Sequence, residues 1–192
     1  MITLILGGAR SGKSSFAEKL AYKRGKEKVT YIATSQPSDE EMKERIKQHK
    51  TDRPSTWKTI EEPYQVGEVI SSLSSNHVIL LDCITILISN LILKRGEKDN
   101  QVGKDGINNI DYQNKEEKVL EEMQKIIKFA ADKNLIMVSN EVGLGLVPEY
   151  KLGRNYRDIA GRVNQYLARN SDEVYFSVAG MQVDIKNLAV DI

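Results

Sequence analysis

The chain has 192 residues, with 28 lysines and arginines against 27 aspartates and glutamates. This length predicts a single α/β domain over residues 1–192, and the near-zero net charge excludes a global attraction to nucleic acid or to an anionic membrane. A single cysteine, Cys83, excludes an internal disulfide, and no apolar run approaches the roughly 20 residues that span a bilayer. We therefore expect a cytoplasmic protein with no nucleic-acid partner and no membrane span.

Short apolar runs of strand length alternate with amphipathic stretches of helical length. Near-continuous apolar runs are typical of strands buried on both faces of a parallel sheet. The alternation predicts βαβ units, and so a three-layer α/β fold with a mostly parallel sheet and helices on both faces. The predicted strands are Ile2–Leu6, Val29–Thr34, His77–Asp82, Leu135–Asn140 and Val174–Val178. The predicted helices are Lys13–Arg24, Asp39–Lys50, Tyr64–Leu73, Thr85–Lys94, Glu116–Lys133 and Asn155–Arg169.

The stretch GGARSGKS, between the first strand and the first helix, fits the pattern G-x-x-x-x-G-K-[ST]. Its glycines let backbone N–H groups point at phosphate oxygens, and the helix N-terminus adds a partial positive charge. We expect Lys13 to reach the terminal phosphates and the Ser14 hydroxyl to bind Mg²⁺. The motif predicts nucleotide binding and does not identify the reaction. The predicted binding residues in it are Gly7, Gly8, Ala9, Arg10, Ser11, Gly12, Lys13 and Ser14.

The segment after the second strand predicts a helix that carries a histidine near its end. Ser38 and Glu41 form a capping box, and Pro54 requires the helix to have ended by about Arg53. His49 falls on the apolar face of this helix. By spacing alone, a packed histidine is the stronger interpretation, and the last helical turn would favour the imidazolium, which is not nucleophilic.

Two acidic residues follow later strands. Asp82 ends the strand HVILLD, where an acidic residue of a neighbouring strand is expected to complete the Mg²⁺ site; a strand-end or capping aspartate is the alternative. Glu141 follows LIMVSN and is a rival for that role or a candidate general base. Cys83 lies among apolar residues, which indicates a packed thiol. Because no Asn-Lys-x-Asp run is present, the chain is not an ordinary regulatory GTPase.

Two later segments are less specific. Residues 94–115 are polar and rich in glycine and asparagine, which predicts a surface insertion with no assigned chemistry. Arg154, Asp158 and Arg162 recur every four residues on one helix face, which indicates a solvated salt-bridge ladder.

Taken in order, GGARSGKS, YIATSQ, EEMKERIKQHKTDRP, W-K-T-x-E-E, LLDCIT, VSNEVGLGLVPE and RNYRDIAGRVNQ resemble one family along nearly the whole chain. That family is the bifunctional adenosylcobinamide kinase / adenosylcobinamide-phosphate guanylyltransferases of cobalamin assembly. The resemblance implies a RecA-like P-loop domain assembled as a homotrimer. It implies phosphorylation of adenosylcobinamide by GTP or ATP, then transfer of GMP from GTP to the product, with Mg²⁺ bound to the nucleotide.

The resemblance also implies site residues. A guanylylated histidine in the helix after the ATSQ strand corresponds to His49 here, which makes His49 and Lys13 the expected catalytic residues. It implies that the ladder on the last helix lies at a subunit interface or near a phosphate. The further nucleotide contacts that it implies are Thr34, Ser35, Lys50, Thr51, Asp52, Arg53 and Glu61. They add to Asp82 and to the metal pair Ser14 and Asp82, which the motif and the strand end predict.

Two rival functions belong to different classes. The first is a monofunctional P-loop small-molecule kinase in which His49 only packs. The second is a RecA-type assembly module that hydrolyses a nucleotide to drive a conformational change. An enzyme is the favoured interpretation because the chain has no basic stripe for nucleic acid.

Overall fold

Seven strands form one sheet in the structure, a computed structural model that describes residues 1–36, 53–94 and 111–190. Along the sheet the strands run in the order β3-β2-β4-β5-β1-β6-β7. All neighbours are parallel except β6 and β7, which form an antiparallel hairpin. The strands are β1 Ile2–Gly7, β2 Val29–Ala33, β3 Lys58–Glu61, β4 Val78–Asp82, β5 Asn134–Asn140, β6 Glu173–Val178 and β7 Met181–Asp184.

Helices cover both faces of this sheet. Strand residues alternate between the faces, so Leu4 and Leu6 of β1 lie in the larger apolar core while Ile5 lies in the smaller one. The smaller core packs against the first helix, and the larger core packs against the other four that the structure describes. These are α1 Lys13–Gly25, α2 Val66–Ser72, α3 Ile84–Leu93, α4 Tyr112–Phe129 and α5 Lys151–Arg169. The predicted three-layer α/β class with a mostly parallel sheet is confirmed.

The prediction missed the two strands at the edges of the sheet. Strands β3 and β7 have four residues each: β3 is exposed except at the partly buried Ile60, and β7 alternates exposed with partly buried positions. Edge strands of this kind lack the continuous apolar run that identified the central strands. The sheet is therefore wider by one strand on each side than the sequence predicted.

Several helix boundaries also differ from the prediction. Helix α4 begins at Tyr112, where the Asp111 carboxylate accepts a hydrogen bond from the Asn114 backbone N–H over 3.2 Å. Its first turn thus lies within the predicted 94–115 insertion, of which residues 95–110 lie outside the described part. Helix α5 begins at Lys151, one turn earlier than predicted. The predicted helix Asp39–Lys50 lies outside the described residues, and none of the helices described is both long and apolar enough for a transmembrane span.

Candidate active site

The GGARSGKS loop turns sharply from the end of β1 into α1. Arg10 and Gly12 both have positive φ, 55° and 89°, and the Ser11 N–H bonds the Gly8 carbonyl over 3.3 Å. At Gly12 a side chain would be strained and would also approach the Gly180 Cα to 3.3 Å. The Gly180 N–H in turn bonds the Ser11 carbonyl over 3.0 Å. The turn between β6 and β7 therefore braces the loop.

Lys13 folds its side chain back onto this loop. Its Nζ donates a hydrogen bond of 3.1 Å to the Gly8 carbonyl, which holds the ammonium group against the loop. Burial lowers the pKa of Lys13 below its usual range, and the charge of Asp82 acts in the opposite direction. A triphosphate bound at the loop would bring further negative charge to this cation. Lys13 therefore lies against the loop, and its contact with the terminal phosphates stays a prediction.

Buried polar atoms without partners gather at the same end of the sheet. Within the described residues, the hydroxyls of Ser11 and Ser177 and the Oδ1 atom of Asn140 are buried and make no hydrogen bond. Gly7 gives Ser11 its room, because a Cβ at residue 7 would lie 2.6 Å from the Ser11 Oγ atom. Buried polar atoms are nearly always hydrogen-bonded in native proteins. Polar groups that the described chain leaves without partners are therefore concentrated at the loop end of the sheet.

The candidate acidic partner, Asp82, lies on a strand farther from the loop than the sequence predicted. Asp82 ends β4, and β5 lies between β4 and β1, so the two strands are not neighbours. The Asp82 Oδ2 atom accepts a hydrogen bond of 2.8 Å from the Tyr31 hydroxyl. Asp82 nevertheless lies close enough to Lys13 to influence its pKa. The charge of the Asp82 carboxylate therefore acts on Lys13 across the end of β5.

Glu141, the rival acidic residue, also lies beside the loop but is already engaged. Its backbone N–H bonds the Gly7 carbonyl over 3.1 Å, and its Oε1 atom accepts from the Gly143 N–H over 2.6 Å. The carboxylate thus stabilises the turn that follows β5. Because Asp82 also has one oxygen engaged, hydrogen bonding does not separate the two residues, and the observation that favours Asp82 is the effect of its charge on the pKa of Lys13.

The ends of β2 and β4 are joined by Thr34 and Cys83. The Thr34 hydroxyl donates to the Cys83 carbonyl over 2.8 Å and accepts from the Cys83 N–H over 3.0 Å. Asn90 of α3 adds a bond of 2.8 Å from its Nδ2 atom to the Thr34 carbonyl. The buried Thr34 hydroxyl therefore holds the ends of β2 and β4 together, and its predicted nucleotide contact stays a prediction. Burial raises the pKa of the Cys83 thiol to about 11, in keeping with a packed, protonated side chain.

The remaining predicted contacts fall into two groups. Arg53 is nearly buried; its guanidinium carbon lies 3.3 Å from the centre of the Tyr31 ring and its Nε atom 3.7 Å from the Glu18 Oε1 atom. Glu61 lies exposed on the edge strand β3, and Ser35 follows the β2 end. Outside the described residues lie His49, Lys50, Thr51 and Asp52, whose roles stay predictions.

The two arginines of the salt-bridge ladder predicted on α5 contact groups outside that ladder. Arg162 pairs with Glu116 of α4, with its Nη2 atom 2.8 Å from the Glu116 Oε2 atom. Arg154 donates to the carbonyls of Pro148 and Glu149 at the start of the helix. Both arginines thus hold neighbouring segments of their own chain.

Sequence reasoning missed two supports of the site. Asn164 of α5 accepts from the Ser139 hydroxyl over 2.7 Å and donates to the Asn140 carbonyl over 3.1 Å, which fixes the end of β5 beside Gly7. Tyr31 lies inside the apolar run VTYIA, so nothing in the pattern separated it from core residues. The signal for the first support was available, because Ser-Asn ends an otherwise apolar strand.

Comparison with known proteins gives a match over nearly the whole chain. Residues 3–185 match the family described as cobinamide kinase / cobinamide phosphate guanyltransferase. The bifunctional adenosylcobalamin biosynthesis protein CobU of Escherichia coli is 42% identical over 97% of this chain and 100% of its own length. The bifunctional adenosylcobalamin biosynthesis protein CobP of Pseudomonas aeruginosa is 40% identical over 97% of this chain and 98% of its own length.

Similarity to solved structures is more distant. The flagellar accessory protein FlaH from Methanocaldococcus jannaschii shares 18% identity, with a TM-score of 0.46, over 94% of this chain and 74% of that one. At this distance the likeness carries no functional argument.

Proposed function

The chain belongs to the cobinamide kinase / cobinamide phosphate guanyltransferase family, and from this premise we propose that it catalyses both reactions. In the first, a nucleoside triphosphate phosphorylates the aminopropanol hydroxyl of adenosylcobinamide. In the second, GMP passes from GTP to the new phosphate, giving adenosylcobinamide-GDP and pyrophosphate. The observation that carries the proposal is the 42% identity to a bifunctional relative over its entire length.

The phosphate loop would serve both reactions through one set of contacts. Backbone N–H groups at the start of α1 and the Lys13 ammonium would hold the triphosphate. In the kinase step Lys13 would neutralise charge on the migrating γ-phosphoryl group. In the guanylyl step it would neutralise the departing pyrophosphate. To do either, Lys13 must give up its hydrogen bond to the Gly8 carbonyl.

His49 is proposed to carry GMP between the two halves of the guanylyl transfer. A neutral imidazole nitrogen attacks the α-phosphorus of GTP, the new N–P bond forms, and the P–O bond to pyrophosphate breaks. A phosphate oxygen of adenosylcobinamide phosphate then attacks the same phosphorus, and the N–P bond breaks. The cations Lys50 and Arg53, which follow His49 in the sequence, would oppose its protonation and keep it nucleophilic.

The proposed divalent cation is Mg²⁺, held by the Ser14 hydroxyl, by Asp82 and by phosphate oxygens. A hydroxyl and a carboxylate are hard oxygen donors, which is the chemistry that Mg²⁺ prefers. Asp82 fits this role because only its Oδ2 atom is engaged by a described residue, Tyr31. Bound Mg²⁺ would neutralise charge on the phosphate oxygens.

The test is covalent labelling with GTP that carries a radioactive α-phosphate. We expect acid-labile, alkali-stable label on the wild-type protein and on His77→Ala, and none on His49→Ala. His77 is the matched control because it is the only other histidine, and its ring lies beside Thr30 at the opposite end of β2. We also expect His49→Ala to keep some kinase activity.

Other outcomes would decide between the rival functions. Kinase activity with no label on the wild-type protein would contradict the covalent mechanism and support a monofunctional kinase. Polymer-stimulated ATP hydrolysis with no activity toward cobinamide would support an assembly module instead.

A cytoplasmic homotrimer is part of the same proposal. Leu144, Leu146, Val147 and Tyr150 are all at least 65% exposed on the segment between β5 and α5. Exposed apolar clusters of this kind are typical of protein interfaces. Light scattering after size-exclusion chromatography should give three times the chain mass of 21.7 kDa, and cell fractionation should recover the protein in the cytosol. A monomer mass would contradict the proposal.

A further inference from the structure

Four side chains form a continuous stack beside the phosphate loop: Glu18, Arg53, Tyr31 and Asp82. We call them the Tyr31 stack. The Tyr31 hydroxyl donates to the Asp82 Oδ2 atom over 2.8 Å. The Arg53 guanidinium carbon lies 3.3 Å from the centre of the Tyr31 ring. The Arg53 Nε atom lies 3.7 Å from the Glu18 Oε1 atom.

The Tyr31 hydroxyl is a buried donor to Asp82. The side chain is only 2% exposed, and its hydroxyl lies 2.8 Å from the Asp82 Oδ2 atom. The hydrogen bond keeps Asp82 Oδ2 occupied, and no described residue donates a hydrogen bond to Asp82 Oδ1. One carboxylate oxygen is held while the other stays available.

The stack also connects the two elements that supply the proposed cation ligands. Asp82 ends β4, and Glu18 follows Ser14 by four residues on α1, so Glu18 and Ser14 lie on the same helix face. Between Glu18 and Asp82, the Arg53 guanidinium lies on the face of the Tyr31 ring, so the four side chains connect α1 to the end of β4. A cation over the ring face holds the ring in place and withdraws electron density from it, which makes the hydroxyl a stronger donor.

We propose that Tyr31 is a positioning residue for the divalent cation: it fixes Asp82 so that Oδ1 faces the cation of the bound nucleotide, and Arg53 holds the Tyr31 ring for this task. The inference rests on the proposed role of Asp82. It assigns a function to Tyr31 and gives Arg53 a role distinct from direct phosphate contact. Hydrogen-bond partners of metal-binding carboxylates orient them, and losing one typically lowers metal affinity by about 10- to 100-fold.

Tyr31→Phe is the direct test, because the ring that packs under Arg53 remains and only the hydroxyl is lost. Mn²⁺ can replace Mg²⁺, and the electron paramagnetic resonance signal of free Mn²⁺ reports its binding in the presence of a non-hydrolysable GTP analogue. We expect about a tenfold weaker Mn²⁺ affinity. Affinity for the analogue in excess EDTA should be unchanged. Tyr22→Phe, a half-exposed tyrosine of α1, is the matched control and should behave as wild type.

A double-mutant cycle separates positioning through Asp82 from general packing. Asp82→Asn should itself weaken Mn²⁺ binding, and adding Tyr31→Phe to it should cause no further loss. Additive losses would overturn the inference. So would a parallel loss of Mn²⁺ affinity and metal-free analogue affinity in Tyr31→Phe, because that result indicates a merely structural role.

The failure of this inference is distinguishable from the failure of the proposed function. If Tyr31→Phe binds Mn²⁺ as tightly as wild type while Asp82→Asn does not, the inference is wrong and Asp82 keeps its role. If Asp82→Asn has no effect, the proposed cation site is wrong and the inference falls with it.

Discussion

The two ends of the sheet differ in how their polar groups are partnered. At the amino ends of the strands, Arg24 of α1 pairs with Glu173 and donates to the Thr3 hydroxyl over 2.8 Å. The Thr3 hydroxyl in turn donates to Glu173 over 2.9 Å, and the Asp172 carboxylate accepts the Ile2 N–H over 2.7 Å. At the carboxyl ends, the buried hydroxyls of Ser11 and Ser177 make no hydrogen bond within the described part of the chain.

Within one sheet, this difference separates polar groups that stabilise the fold from polar groups that are open to a ligand. Satisfied polar groups stabilise the folded chain, whereas buried groups without partners cost free energy until a ligand engages them. Changes at the carboxyl ends should therefore alter binding at little cost in stability. Changes at the amino ends should do the reverse.

The strongest test of this contrast is Lys13→Ala at the carboxyl ends. We expect both reactions to fall by roughly 100-fold or more, because a preorganised cation at the phosphates is lost. The free energy of unfolding, from urea denaturation, should change little. Lys19→Ala, an exposed lysine on the same helix, should leave both quantities unchanged. A large stability loss in Lys13→Ala with normal activity would reverse the contrast.

Arg24→Ala tests the opposite end. Removing the cation leaves Glu173 without its ion pair, and we expect a loss of about 2 kcal/mol in the free energy of unfolding. This is less than for a fully buried pair, because the Glu173 side chain is 29% exposed. Nucleotide affinity, measured by calorimetry, should stay the same. Lys23→Ala, the exposed neighbour, is the control; equal stability of the two variants would contradict the prediction.

Glu122 lies far from the phosphate loop. It tests whether burying a carboxylate lowers the free energy of unfolding when the carboxylate is charged. It accepts the Gly67 N–H over 2.7 Å, and burial raises its pKa, with Glu68 and Glu62 acting in the same direction and Lys125 against it. The folded state thus binds the proton more tightly, so stability falls as pH rises from the unfolded pKa near 4.5 through the folded pKa.

Glu122→Gln keeps an oxygen for Gly67 and removes this titration. We expect the variant to match wild type at pH 4 and to be more stable by about 1 kcal/mol at pH 8. Urea denaturation across this pH range measures the difference. A stability difference that is independent of pH would show that burial of the charge is not the cause.

The smallest expected effect comes from two buried serines of the β6 region. The Ser171 hydroxyl donates to the Leu167 carbonyl over 2.7 Å, whereas the Ser177 hydroxyl makes no hydrogen bond to any described residue. We expect Ser171→Ala to lose about 1 kcal/mol and Ser177→Ala to lose less than about 0.5 kcal/mol or to gain. Each serves as the other's control in thermal unfolding. Equal losses would remove the distinction between the two ends of the sheet.

The parts of the site that are contiguous in the sequence were predictable. GGARSGKS carries the glycines and the internal Ser11–Gly8 bond of its own turn, so the loop and the helix that follows it were predicted from one stretch, although the brace from Gly180 was not. Asp82 could be named as a candidate because it ends an apolar run. The strand that separates it from β1 could not be predicted, because the order of strands in a sheet depends on packing between segments far apart in the chain.

Contacts between distant segments explain what the sequence did not predict. The hydrogen bond from Tyr31 to Asp82 joins residues 51 positions apart, and a tyrosine in an apolar run resembles any core residue. The edge strands β3 and β7 carry no apolar run, and their positions depend on the strands beside them. The partner of Arg162 comes from α4, 46 positions earlier, which helical spacing alone could not reveal.

The bond between Gly180 and Ser11 makes the phosphate loop depend on a residue 169 positions later in the chain. The motif GGARSGKS carries its own glycines, but the backbone that braces it comes from the hairpin of β6 and β7, which must first pair with β1. A fragment that ends before residue 180 would contain the whole motif and lack this brace. Such a fragment should therefore bind nucleotide more weakly than the intact chain.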